Sequence, residues 1–391
     1  MRTAWIFLPE QGEFTTAEFA QSQTWCWYSQ AGRHHPGMSI TIADVAREAG
    51  TSITTVSRVL SDQGDAYRIS EPTQSLVVAA AKRLGYRPSY HAKSLKAGKS
   101  QTIGLVYNSA SLAPGNLAYS ATIIGAIDGA VRHAGYHLLL IADKNLYEVL
   151  ETGSAFLTDR RVDAVVVFGY VLHRYNVHKL PIPLTTEQAV VVVERVGKTM
   201  FPTVEMDPAP GIIAGVAHLV ELGHRQLAWV TGAEGSERTA IFLAACLQQG
   251  VIGRLVEVDL VPLGTHPSEL IFSAARAVTA RYAELDKATG IMCFNEFIAL
   301  GVQQVLREHG LEVPRDRSLI GFDDLYAELA LPPLTVVRFP LADIGKRVAE
   351  MAIAMTEGPA AIEQFRGRRE TSPSLLIIRG STGAPPLLAV R

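Results

Sequence analysis

The chain has 391 residues, 48% of them hydrophobic and 19% charged, with a net charge of −2. This composition excludes a disordered chain, and the length suffices for two or three domains. Apolar runs such as AVVVF (164–168) and AVVVV (189–193) are too short to cross a membrane and read as buried parallel strands. Cys26, Cys246 and Cys293 are few, odd in number and far apart. They form neither a disulfide framework nor a zinc pattern, and a reducing cytoplasm fits them.

The charge is unevenly spread. From Ser39 to Ser100 nine Lys and Arg stand against five Asp and Glu, a net +4 that leaves −6 elsewhere. A basic module on an acidic body suits phosphate contact at one end, although a charge run is also what any solvated face shows. Residues 1–38 match nothing downstream: WIFL is too short for a signal-peptide core, TWCWY (24–28) is isolated, and Met38 stands directly before the first helix. They read as a poorly ordered extension or a misassigned start.

The stretch TIADVAREAGTSITTVSRVL (41–60) predicts two short helices. Ile42, Val45, Ala46 and Ala49 fall on one face, with Thr41 and Asp44 placed as a capping box and Gly50 as the stop. Ser52 offers a second N-cap, and Val56, Val59 and Leu60 make the inner face of the next helix. A three-residue turn containing glycine between them is the helix-turn-helix layout, which an ordinary αα-hairpin shares. Outward residues Ile53, Thr54, Ser57 and Arg58 form a surface short enough for a major groove. A third helix opens at Ser70-Glu71-Pro72, stripes Val77, Ala80, Ala81 and Leu84 inward, and closes at Gly85. Tyr90–Ala97 (YHAKSLKA) reads either as a basic linker or as a helix too short to be stable alone, ordered by a partner.

From Thr102 strands alternate with helices. IGLVY (103–107), HLLLIA (137–142), DAVVVF (163–168), AVVVVE (189–194), LAWVT (227–231), GIMCF (290–294) and SLIGF (318–322) are the strands, and Ile123, Ile124, Ile127, Ala130 and Val131 stripe the first helix. The reading is a doubly wound α/β core of two lobes with a cleft, its ligand outside the carboxyl ends of the strands. Arg238, Asn295 and Asp323 follow three different strands there; Asn295 and Asp323 serve equally well as helix N-caps.

In this order the motifs resemble the LacI/GalR family of transcriptional repressors, from about Ser39 to Thr382. TIADVAREAGTSITTVSRVL resembles the family's helix-turn-helix, AAAKRLGYRP its third helix, and HAKSLKAGKSQTIGLV its hinge and first core strand. HLVELGHRQLAWVTG, NEFIALGVQQVLREHGLEVPRDRSLIGFDDL and LLIIRGST follow as three further signatures. The resemblance implies a helix-turn-helix head over 39–88, a hinge over 89–101, a periplasmic-binding-protein-like core over 102–382 and a tail over 383–391. It implies a homodimer on a pseudo-palindromic double-stranded operator, controlled by a small effector in the core cleft.

Within that resemblance Ile53, Thr54 and Arg58 align with base contacts, with Ser57 on the same face. Arg58 suits guanine O6 and N7, and Ile53 suits a thymine methyl. Thr41, Ser52 and Thr55 suit phosphate contacts. Leu95 aligns with the hinge leucine that wedges into the minor groove, with Lys93 beside it and small Ala92 letting paired hinges approach. Arg238, Asn295 and Asp323 align with the effector pocket, where a saccharide or polyol is the default. Departures from the family pattern are Glu296 for Asp, Ile241 for Gly, Gln74 for Arg, Ser89 for Asn, Lys93 for Arg, and NSASLAPGNLAY for an Asn-Pro-Phe-Phe run.

The competing reading is a sugar-binding protein or enzyme that binds no operator. No G-x-S-x-G, P-loop or H-E-x-x-H stretch occurs, and Gly135 separates His133 from His137, so no catalytic or metal site and no cofactor is expected. LLAVR at the end is no heptad tail, which favours a dimer over a tetramer. The expectation is a cytoplasmic regulator with no membrane partner.

Overall fold

The computed structural model describes residues 40–61, 63–87, 98–108, 114–143, 146–168, 185–193, 199–232, 237–260 and 266–386. The extension over 1–38 and the hinge residues Ala92, Lys93 and Leu95 lie outside the described residues. The chain divides into two compact units, Met1–Tyr90 and His91–Arg391.

The described residues of the first unit form three helices. α1 (Ile42–Glu48) starts with the expected capping box: the Asp44 N–H donates to Thr41 Oγ1 at 3.4 Å and the Thr41 N–H to Asp44 Oδ2 at 2.9 Å. Gly50, at φ 63, makes the turn in the left-handed region that other residues enter at a cost. α2 (Ile53–Val59) is capped by Ser52, whose Oγ accepts from the Thr55 N–H at 3.1 Å. α3 (Glu71–Leu84) follows. Ser70 stands at its cap position but bonds Thr73 Oγ1 at 2.8 Å and caps no amide, unlike the simple N-cap read from the sequence. Val45, Ala46, Val56, Val59, Val77, Ala80 and Ala81 form the core. Their small side chains let three short helices pack closely where long ones would hold the backbones apart.

The second unit runs β1 (Thr102–Asn108), α4 (Pro114–His133), β2 (His137–Asp143), α5 (Leu146–Thr158), β3 (Ala164–Phe168), β4 (Val190–Val193) and β5 (Thr203–Asp207). α6 (Ala209–Glu221), β6 (Gln226–Gly232), α7 (Glu237–Gln248), β7 (Ile252–Val258), α8 (Pro267–Thr279), the single turn α9 (Tyr282–Leu285), β8 (Gly290–Cys293) and α10 (Glu296–Glu308) come next. β9 (Ser318–Phe322), β10 (Thr335–Arg338), α11 (Leu341–Met355), α12 (Pro359–Phe365), β11 (Arg369–Pro373) and β12 (Leu375–Ile377) complete it.

These strands make two six-stranded sheets, β2-β1-β3-β4-β5-β11 and β7-β6-β8-β9-β10-β12. The first is wholly parallel; in the second only the edge pair β10–β12 is antiparallel. One strand order therefore occurs twice, and the doubly wound, two-lobed class expected from the sequence is the one present. Each sheet reverses its winding at a single point, β1/β3 and β6/β8, where such folds bind ligands.

The valines of β3 and β4 are buried along their whole length, as strands covered on both faces must be. β5, β7, β10, β11 and β12 were not anticipated. β7 and β11 are half-exposed edges, and β12 is a short edge.

The chain passes between the sheets after β5, after β10 and after β11. The passages touch. A Cβ on Gly211, at the start of α6, would lie 2.4 Å from Val337 Cγ1 and 2.7 Å from Ser374 Oγ. The Gly211 N–H instead donates to Ser374 Oγ at 2.9 Å. The crossing strands need glycine there because no larger residue leaves room for the neighbouring passage.

Candidate functional site

In the first unit α2 presents the predicted surface. Ile53 and Thr54 are exposed, and Ser57 and Arg58 are partly so, on the side away from buried Val56 and Val59. The Arg58 guanidinium carbon lies 3.9 Å from the centroid of the Tyr67 ring, a cation–π stack that holds the side chain in place. Tyr67 carries no helical period, sitting in the loop after α2, so sequence reading passed over it.

Thr41 and Ser52 are exposed at two helix starts, where unsatisfied amides favour anions. Their hydroxyls already act as caps, and Ser52 Oγ also pairs with Thr55 Oγ1 at 2.8 Å. Gln74 braces the loop beneath, its Nε2 donating to Asp65 Oδ1 at 2.8 Å and the Ile69 carbonyl at 2.9 Å.

In the second unit Arg238, Asn295 and Asp323 stand beyond the carboxyl ends of β6, β8 and β9, three neighbours in one sheet. The structure brings them together through backbone and rings. Arg238 Nη1 donates to the Phe294 carbonyl at 2.9 Å, and its guanidinium carbon lies 3.8 Å from the Phe322 ring centroid. Phe294 directly precedes Asn295, and Phe322 directly precedes Asp323. The rings of Phe294 and Phe339 flank the guanidinium further out, at 4.7 and 5.8 Å. This aromatic bed fixes an otherwise long and mobile cation.

Asn295 is the N-cap of α10, its Oδ1 accepting from the Ile298 N–H at 2.9 Å. Capping uses only the oxygen and leaves the amide Nδ2 as a donor, so the cap and ligand roles coexist. Asp323 is no N-cap. It sits at φ 72, its N–H donating to the Val337 carbonyl at 2.8 Å. A non-glycine residue held in that region is a strained position, of the kind that clusters at functional sites. Burial raises its carboxyl pKa and the Arg238 charge opposes that rise.

Next to this trio Asp324 Oδ2 accepts from Arg379 at 2.8 Å and Arg338 at 3.2 Å. Chemically the arrangement presents a planar donor fork, an amide donor and a carboxylate acceptor, a set matched to polar, hydroxyl-rich molecules. Among the described residues no group of three His, Cys, Asp or Glu side chains could hold a metal, and no helix is long and apolar enough to cross a membrane.

Comparison with known proteins places these features. The model of the bacterial regulatory proteins of the lacI family matches residues 41–89, and that of the periplasmic binding protein-like domain matches 216–382. The chain is 31% identical over 333 residues to the HTH-type transcriptional repressor PurR of Vibrio campbellii, covering 80% of this chain and 91% of that protein. It is 29% identical over 323 residues to the HTH-type transcriptional regulator AscG of Escherichia coli K12, covering 81% and 92%.

Among solved structures, a lac repressor dimer bound to operator and the anti-inducer ONPF aligns with a TM-score of 0.67 at 24% identity, over 89% of this chain and all of that one. A complex of the transcriptional regulator CelR with cellobiose aligns with a TM-score of 0.56 at 24% identity, over 88% and 100%. At that identity the structures attest the fold, and PurR attests the family. A helix-turn-helix unit followed by a duplicated doubly wound core, with a relative above 30% identity along nine tenths of its length, makes this chain a member of the LacI family of bacterial DNA-binding transcriptional regulators, not an enzyme.

Proposed function

We propose that the chain is a cytoplasmic repressor that binds a pseudo-palindromic operator as a homodimer and is released or recruited by a saccharide-like effector in the second unit. The observation that carries the effector reading is the convergence of Arg238, Asn295 and Asp323 beyond β6, β8 and β9. Solved relatives bound to cellobiose, lactose and ribose support the ligand class.

For operator reading, Arg58 forks to guanine while Ile53, Thr54 and Ser57 complete the base-facing surface. Thr41, Ser52 and Thr55 set register on phosphates. In this proposal the hinge, with Ala92, Lys93 and Leu95, folds in the minor groove when two half-sites are correctly spaced. The homodimer is supported by apolar side chains left exposed on the two outer strands and a helix: Leu139 and Leu140 of β2, Ile252 and Leu255 of β7, and Phe272 of α8. Contact across a dimer is one way to cover side chains of this kind.

The test is selection of genomic DNA fragments by the purified protein at one stated salt concentration, with and without a panel of mono- and disaccharides. Enrichment of a two-fold symmetric site, with affinity altered by one sugar, is expected. Enrichment of no sequence defeats the operator reading, and a site indifferent to every sugar defeats the effector class.

A further inference from the structure

Glu296, the first residue of α10, is only 1% exposed, a setting in which an unpaired carboxylate is costly. Its Oε2 accepts from the backbone N–H groups of Leu325 and Tyr326 at 3.0 and 2.9 Å. Those amides lie in the loop after β9, two and three residues beyond Asp323. Its Oε1 is buried with no hydrogen-bond partner among the described residues. We propose that Glu296 is a positioning residue of the effector site, clamping the loop that carries Asp323 to the start of the helix capped by Asn295. The functional consequence rests on the effector reading above; the clamp itself does not.

The charges that face Glu296 decide the form in which it clamps. The loop after β9 brings Asp323 and Asp324, and Arg238 of α7 acts on Asp323. Arg338 and Arg379 are committed to Asp324, with Glu328 also on Arg379. β8 brings Cys293, whose thiol burial keeps protonated, and β9 brings no titratable side chain. The charged residues of α8, which packs along α10, are Glu269 and Arg276, and both are exposed.

Among the described residues no cation pairs with Glu296. Burial, with Asp323 and Asp324 beside it, pushes its carboxyl from 4.5 up to about 7, against the pull of the two backbone amides. As the acid, it offers the amides one oxygen and buries no charge on the other. As the carboxylate, it sets an uncompensated charge beside two others, and the clamp loosens. The hold on the loop carrying Asp323 therefore weakens as pH rises from 4.5 through about 7 and changes little above that.

Hydrogen–deuterium exchange of the full chain tests this without any ligand, read on peptides spanning 323–330 and corrected for intrinsic exchange. Between about pH 6 and about pH 8.5, wild-type protection of this segment is expected to fall about tenfold. Glu296→Gln keeps an acceptor oxygen and cannot ionise, so its protection stays high at both; Glu296→Ala loses it at both. A flat wild-type profile overturns the proposal, as does a Glu296→Gln profile that follows the wild type. If the Gln variant does not fold, the wild-type profile decides. Failure of the sugar panel with this exchange pattern intact removes the effector reading and leaves the clamp standing.

Discussion

Arg58 is the residue on which operator preference is expected to turn. Stacked on Tyr67, its fork is held on the outward side of α2 before any contact with DNA. A bidentate contact with guanine is worth about 1–3 kcal/mol of discrimination. Arg58→Ala should therefore relax sequence preference while non-specific binding persists, measured by competition between operator and scrambled duplexes. An unchanged preference removes Arg58 from readout. Arg238→Ala should leave operator affinity in place and abolish the sugar response in the same assay, and a normal response removes it from the pocket. Arg58 was legible because helical spacing turns it outward. Tyr67 was not, because a loop residue has no period. Nor was the left-handed conformation of Asp323, which the hydrogen bond to Val337 imposes from another strand.

At the scale of elements, the start of α10 joins a cap to a candidate ligand contact in one side chain. Asn295→Ala should cost about 1 kcal/mol, the usual loss of an N-cap. Asn295→Asp keeps the capping oxygen and removes the Nδ2 donor, so it should unfold like the wild type yet respond weakly to effector. A response of Asn295→Asp equal to that of the wild type would confine Asn295 to capping.

The segment leading into β6 carries a different device. His224 is fully buried, its Nδ1 paired with Thr289 Oγ1 and its Nε2 with Ser318 Oγ and the Gly383 carbonyl, each at 2.9 Å. It ties the chain beyond β12 to the second sheet. Burial lowers its pKa from 6.5. The unfolded chain therefore takes up a proton below that value while the folded chain resists it, and stability is lost as pH falls from there. His224→Gln should flatten this loss, read as the pH dependence of the urea midpoint. A slope equal to that of the wild type would show that other groups carry it.

For the whole molecule, the exposed apolar residues on β2, β7 and α8 make a concrete prediction. Phe272→Lys should give monomers in sedimentation and weaken operator binding while leaving the fold, read by far-ultraviolet dichroism, intact. A dimer that survives would move the interface elsewhere. Because binding is reciprocal, operator must change effector affinity by the same factor that effector changes operator affinity, about 5–150-fold for a typical coupling. Titration calorimetry of the effector with and without operator checks that equality.

Local physics determined much of this protein from its sequence. Caps, helix stops and helical periods placed α1 and α2, and β-branched runs placed the central strands, because those signals act within a few residues. The three effector candidates were legible because each directly follows a strand or its loop. What only the tertiary structure decided lies in long-range pairing. β11 joins β5 and β12 joins β10 across the crossings, and polar, half-exposed edges such as RETSP show no hydrophobic pattern until a neighbour covers them. The phenylalanine bed under Arg238 and the clamp made by Glu296 belong there too. Each unites strand ends far apart in the chain, and only the assembled sheet brings those ends within hydrogen-bond reach.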